Sequence, residues 1–209
     1  MKDEIRFLIQ CYFGSEVDPI LMAIDRAYRD MATHTLYGDA EKELYPGRKT
    51  VTEYLYGQIN VLTKDHADFN VWHEETSRGI KAKYQTLSYG QIQKWINMTI
   101  KYLYTLRKLG VDLVDEYFGA TENVKKFHAP LDSYVLNAID EPEPTWSNIE
   151  TYETYKERVG KISFLEEYKN WPKYAGESML KKDGEPNLAD KGTYKRFVHD
   201  DGGYDLVNK

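Results

Sequence analysis

The sequence predicts an all-α fold, a single orthogonal helical domain of about seven helices over 1–175 with an irregular C-terminal extension over 176–209. Three observations predict it. Capping-box patterns, Thr50-Val51-Thr52-Glu53, Ser88-Tyr89-Gly90-Gln91 and Ser147-Asn148-Ile149-Glu150, each precede a run of apolar residues at helical spacing. The segment after Ser88 is apolar around roughly two-thirds of a helix circumference, as a helix central to a bundle would be. Alternating strand patterns are nearly absent, and no internal repeat is visible.

The elements follow in order. Ile5–Phe13 is an apolar run that periodicity leaves open between strand and helix. Asp18-Pro19 reads as an N-cap with proline at the first helical position, followed by Ile20, Leu21, Ile24, Ala27, Tyr28 and Met31 on one face. Gly38, Pro46 and Gly47 predict a loop, and Thr50 then opens a helix with Val51, Tyr54, Leu55 and Leu62 inward. A helix is expected over Phe69–Tyr84, weakened by Gly79. Ser88 opens the most apolar one, which runs to Lys108 and stops at Gly110. Its apolar residues include Ile92, Trp95, Ile96, Ile100, Leu103 and Leu106, while Lys94, Asn97, Lys101, Thr105 and Lys108 form a narrow polar stripe read as solvated. Gly119–Pro130 reads as a connector, and Asp132 as the start of a short helix. After the break at Glu141-Pro142-Glu143-Pro144, Ser147 is expected to open a helix through Tyr152, Tyr155 and Val159, with Tyr168 as its furthest extension. Beyond Trp171 only a short strand over Tyr194–Val198 is expected.

Composition narrows the function. The chain has 209 residues and a net charge of −6, which argues against a protein that coats nucleic acid non-specifically. Yet between Ser77 and Val111 there is no acidic residue, and Arg78, Lys81, Lys83, Lys94, Lys101, Arg107 and Lys108 carry +7, leaving −13 for the rest. That asymmetry suggests a local surface for an anion, phosphate first among candidates. No apolar run suits a membrane span or a signal peptide, and the lone Cys11 excludes a disulfide framework, so a reduced cytoplasmic location is expected. The sequence lacks GxxxxGK[ST], GxGxxG, HExxH and GxSxG. His66 and His73 stand seven apart among Asp65, Asp68, Glu74 and Glu75, a pattern better read as a solvated acidic helix face than as a metal site. No cofactor and no metal are therefore expected. The 18 tyrosines serve either as core fillers with polar ends or as stacking surfaces for bases.

What remains is a lysine and an aspartate. Lys94 follows Gly90 near the start of the central helix, in Gly90-Gln91-Ile92-Gln93-Lys94, and Asp132 lies in Pro130-Leu131-Asp132-Ser133-Tyr134-Val135. On these two segments the chain resembles the helix-hairpin-helix DNA glycosylase superfamily, the 8-oxoguanine glycosylase branch in particular. Of that family's glycine-any-glycine hairpin it keeps Gly90 alone, and its lysine-to-aspartate interval is longer than the family's usual one. The resemblance implies a nucleophilic Lys94, an essential Asp132 and a glycosylase or abasic-site lyase activity on nucleic acid or a nucleotide. Lys81, Lys83, Lys101, Arg107 and Lys108 would then hold phosphates, and Trp95, Tyr89 or Tyr134 would stack on an extruded base. Arg26–Asp30 and Tyr89–Tyr102 also resemble a group of uncharacterised bacterial and mobile-element proteins. The plainer reading makes Asp132 only an N-cap and the lysines a solvated stripe. On it the protein is a non-catalytic helical interaction module whose basic block meets an acidic partner.

Overall fold

The computed structural model describes residues 2–14, 18–32, 40–64, 68–170, 196–198 and 204–206. The fold is all-α, as expected. The chain divides into two units, Met1–Trp171 and Pro172–Lys209. In the first unit the helices are α1 (Asp3–Phe13), α2 (Pro19–Ala32), α3 (Ala40–Lys64), α4 (Phe69–Lys83), α5 (Tyr89–Lys108), α6 (Thr121–Val124), α7 (Ser133–Ala138) and α8 (Tyr152–Val159). Residues 164–170 are helical as well. Two 3-10 turns, Glu116–Phe118 and Trp146–Asn148, punctuate the second half. In the second unit the described residues are two antiparallel strands, β1 (Arg196–Val198) and β2 (Tyr204–Leu206), with Phe197 opposite Asp205.

Helix α5 is the axis of the first unit. Its N-terminus carries the complete capping box: Ser88 Oγ accepts from the Gln91 amide at 3.1 Å, and Gln91 Oε1 accepts from the Ser88 amide at 2.9 Å. From Gly90 to Ile100 only Met98 escapes full burial. Helix α2 packs along one side through Ile24, Ala27, Tyr28 and Met31, while α4, α8 and both 3-10 turns cover the others. The stripe read as solvated is therefore enclosed at Lys94 and Asn97, which are core residues, half-buried at Lys101 and Thr105, and exposed at Lys108. The cause is the second half of the chain, which wraps a side that the periodicity of α5 alone would leave open to water.

Other boundaries shift for local reasons. Helix α3 begins at Ala40 and passes through Pro46 and Gly47, where a loop was expected. Gly47 is a packing glycine, since a Cβ there would stand 2.9 Å from the Tyr84 ring. Gly79 has the same use within α4, where a Cβ would stand 2.1 Å from the Tyr54 hydroxyl. The N-cap of α8 is Thr151, which accepts from the Thr154 amide at 3.1 Å, whereas Ser147 lies inside a 3-10 turn. The helix ends at Val159 before Gly160 rather than reaching Tyr168.

Gly90 is the closest approach in the fold. Its amide, one of the four in the first turn of α5 without an intrahelical acceptor, donates to the Ile149 carbonyl at 3.0 Å. A Cβ at Gly90 would lie 1.6 Å from the Trp146 carbonyl oxygen. Because the obstacle is backbone, Gly90→Ala should cost about 3 kcal/mol, a fall of roughly 6–12 °C in the melting midpoint. Gly57, an exposed position in α3 with nothing within 4 Å of its added Cβ, is the control. Gly57→Ala should raise stability by about 0.5–1 kcal/mol in the same calorimetric comparison.

Candidate functional site

Lys94 lies in the second turn of α5 and is 7% exposed. Its Nζ stands 4.2 Å from the centroid of the Trp146 ring, which roofs it. Burial pushes the ammonium below its ordinary pKa; the nearby carboxylates of Asp132 and Asp30 oppose that, and the like charge of Lys101 adds to it. Asp132 caps α7 by accepting from the Val135 amide at 3.0 Å. The N-cap reading of Asp132 therefore holds, and the same carboxylate is close enough to Lys94 to stabilise its charge. Asp30, on α2, is held by Arg26 at 2.8 Å and accepts the Tyr102 hydroxyl.

Two turns beyond Lys94 on the same face of α5, Lys101 donates to Glu167 Oε1 at 2.6 Å. The pair is enclosed, with side chains 13% and 1% exposed. Glu167 Oε2 is buried and finds no hydrogen-bond partner among the described residues. Burial raises the Glu167 carboxyl above the usual range, Lys101 opposes the rise, and Asp132 adds to it. Lys94, Lys101, Asp30, Asp132 and Glu167 thus form one coupled group of charges along α5.

Behind this group runs a buried hydrogen-bond chain through Asn97, His73, Tyr152, Tyr155 and His128. Asn97 Oδ1 can only accept, so His73 Nε2, 2.9 Å away, carries the proton and His73 Nδ1 accepts from the Tyr152 hydroxyl at 2.9 Å. By the same logic His128 Nε2 donates to Asn70 Oδ1 at 2.8 Å, and His128 Nδ1 accepts from Tyr155 at 2.7 Å. The Tyr155 oxygen in turn accepts from Asn97 Nδ2 at 2.9 Å. Both imidazoles are neutral. Burial drives His73 well below its ordinary value, with His128 adding to the effect, and burial together with Lys156 lowers His128 to about 4. The connector reading of His128 missed this role because its partners come from α4 and α8.

The other expected site residues are scattered. Trp95 is not a stacking surface: it is fully buried, and its indole N–H donates to the Ile24 carbonyl at 3.0 Å. Tyr89 is half-buried, edge-on to Tyr152, and Tyr134 is half-buried on α7 two residues past Asp132. Lys81 does not face outward as a phosphate grip, because its Nζ donates to the carbonyls of Gln85 at 2.9 Å and Leu87 at 2.6 Å and so ties off the end of α4. Lys101 is committed to Glu167. Lys83 and Lys108 are exposed, and Arg107 is half-buried, reaching the Val114 carbonyl. Lys94 and Lys108 are fourteen residues apart on one helix, about 21 Å, so the basic stretch is divided between the two ends of α5 and is not one patch. His66 and Asp65 lie outside the described residues, and His73 faces the core instead of an acidic helix face. Among the described residues no group of three or more His, Cys, Asp and Glu side chains is arranged to hold a metal ion. No described helix is long and apolar enough to cross a membrane.

The chain matches no protein-family model, no curated protein and no solved structure.

Two outcomes follow from the buried charges and imidazoles. Lys101→Met leaves Glu167 without its cation and should cost about 3–5 kcal/mol in urea denaturation, most of it regained in Lys101→Met/Glu167→Leu. The histidines bind protons more weakly folded than unfolded, so the unfolded chain takes up protons first on acidification. Their contribution to stability is complete above about pH 6.5 and is lost as pH falls toward 4. Denaturation midpoints between pH 7.5 and pH 4.5 should show this decline, and His128→Gln should flatten it.

Proposed function

We propose that this protein acts on nucleic acid or a nucleotide as a glycosylase or abasic-site lyase, with Lys94 as an amine nucleophile and Asp132 as its acid–base partner. The observation that carries the reading is the setting of Lys94: an amine taken out of water under Trp146, its ammonium destabilised by burial, with the Asp132 carboxylate beside it. An amine attacks only when neutral, and desolvation raises its neutral fraction.

The balance of the reaction is simple. The lone pair of the neutral Lys94 forms a bond to the anomeric carbon of the sugar, and the bond from that carbon to the base breaks, the base leaving with the electron pair. The attacking nitrogen gives up a proton to the Asp132 carboxylate at the N-cap of α7, which can pass it on to the ring oxygen as the sugar opens. Opening of the sugar ring then yields a Schiff base, water or elimination completing the turnover. As a carboxylate, Asp132 also stabilises positive charge developing on the sugar. Tyr89 at the first position of α5, Tyr134 two residues past Asp132 and Trp146 over Lys94 supply the flat surfaces against which a base would stack. Lys83 is the exposed cation at the end of α4 that leads into α5.

Borohydride trapping tests the reading. Incubation with duplexes carrying 8-oxoguanine or an abasic site, followed by reduction, should give a covalent protein–DNA adduct. Lys94→Ala should abolish it, and Asp132→Asn should slow its formation by roughly 100-fold or more. If neither duplex yields an adduct with the unaltered protein, Schiff-base chemistry is ruled out for these substrates and the non-catalytic interaction module becomes the better description.

A further inference from the structure

We propose that Gln93 is a positioning residue of the Lys94 site: its side-chain amide clamps the strand of chain carrying Asp132 onto α5 and so sets the spacing of the lysine and the carboxylate. This deepens the reading of Lys94 and Asp132 as the reactive pair and rests on it.

The clamp is visible atom by atom. Gln93 precedes Lys94 in α5, and Leu131 precedes Asp132. Gln93 Nε2 donates to the Leu131 carbonyl at 2.9 Å, while Gln93 Oε1 accepts from the Leu131 amide at 3.2 Å. Both backbone groups of one residue are thus held by one side chain, as a neighbouring strand would hold them. The remaining capacity of the amide is used as well. Nε2 also donates to the Gly90 carbonyl at 2.9 Å, and Oε1 also accepts from Asn97 Nδ2 at 3.1 Å. Gln93 is 1% exposed, so none of these bonds competes with water. Asn97 adds a bond to the Ala129 carbonyl at 3.2 Å, two residues before Leu131, and is itself anchored by His73 and Tyr155.

Only an amide fits these four bonds, because the site presents two acceptors and two donors to one planar group. Two simultaneous bonds to the residue flanking Asp132, with two more that fix the amide itself on α5, indicate that the fold fixes distance and not only volume. The charged groups facing Lys94 are Asp132 from α7, Asp30 from α2 and Lys101 from α5 itself, and Gln93 touches none of them directly. It acts on Lys94 through the placement of Asp132.

The test is a thermodynamic cycle read on Lys94, independent of any nucleic-acid substrate. In the full chain carrying 13C-ε-lysine, the Lys94 signal is assigned by its loss in Lys94→Arg, and its titration is followed by NMR. Asp132→Asn should move the Lys94 midpoint to lower pH, since a carboxylate that favours the charged amine has gone. Gln93→Met should move it in the same direction, and Gln93→Met/Asp132→Asn should move it no further than Asp132→Asn alone. Should the methionine variant not fold, Gln93→Asn, an amide one methylene too short to reach Leu131, is expected to give the same shift. A Lys94 midpoint that stays at the wild-type value in a folded Gln93 variant, or shifts that simply add in the double variant, would overturn the clamp. The two readings fail separately: a protein that forms no adduct yet shows the non-additive cycle retains the clamp and loses the Schiff-base chemistry.

Discussion

Burying the first three turns of α5 almost completely obliges each polar group there to find a partner inside the protein. Most features of the first unit follow from that obligation on α5. Thr99 returns its hydroxyl to the Trp95 carbonyl at 2.8 Å, and Thr105 does the same to Lys101. Gln93 and Asn97 reach across to the segment before α7, and Lys101 requires a glutamate from the helix beginning at residue 164. Between Val111 and Ile162 the helices and turns are short, and several of them supply these partners. Carbonyls, hydroxyls and carboxylates are delivered by 3-10 turns and brief helices that place one or two groups each.

Electrostatics inside this enclosure is a balance among few charges. Lys94 is destabilised as an ammonium by loss of water, restored in part by Asp132 and Asp30, and pushed again by Lys101. Trp146 works in the opposite sense from burial, because the face of an indole attracts a cation. An amine so placed is responsive: moving one carboxylate or one ring changes its protonation, where a solvated lysine would be indifferent. The neutral histidines complete the picture from behind. They lend hydrogen-bond direction to Asn97 without adding charge to the group.

Much of the fold was legible in the sequence, and its errors have physical sources. The capping box at Ser88, the proline start at Pro19 and the apolar face of α2 are local signals, and each stands where expected. Gly47 and Gly79 misled because a glycine inside a helix has two meanings. Here it marks a close tyrosine and not a break. Lys94 and Asp132 were singled out from short motifs, and their electrostatic proximity needs α5 and α7 to meet, which no local pattern states. Burial of the Lys94–Lys101 stripe was illegible for the same reason, since it depends on chain more than thirty residues downstream. A signal for the clamp existed all the same: Gln93 and Asn97 stand four apart beside a lysine on an otherwise apolar helix, a spacing at which two amides can bond to each other and face one partner. The C-terminal strand pair, Arg196–Val198 with Tyr204–Leu206, agrees with the short strand expected near Val198.

The indole over Lys94 has a kinetic meaning. Trp146 is held at two levels: its backbone abuts Gly90, and just upstream Arg158 binds the carbonyls of Pro144 and Glu143. With the lysine only 7% exposed beneath that ring, access to the amine depends on how firmly this stretch of chain is held. The speed at which a small electrophile labels Lys94 would then report local opening of the segment as well as the nucleophilicity of the nitrogen. The lysine becomes a clock for local opening at Glu143–Ile149, ticking whether or not a substrate is present.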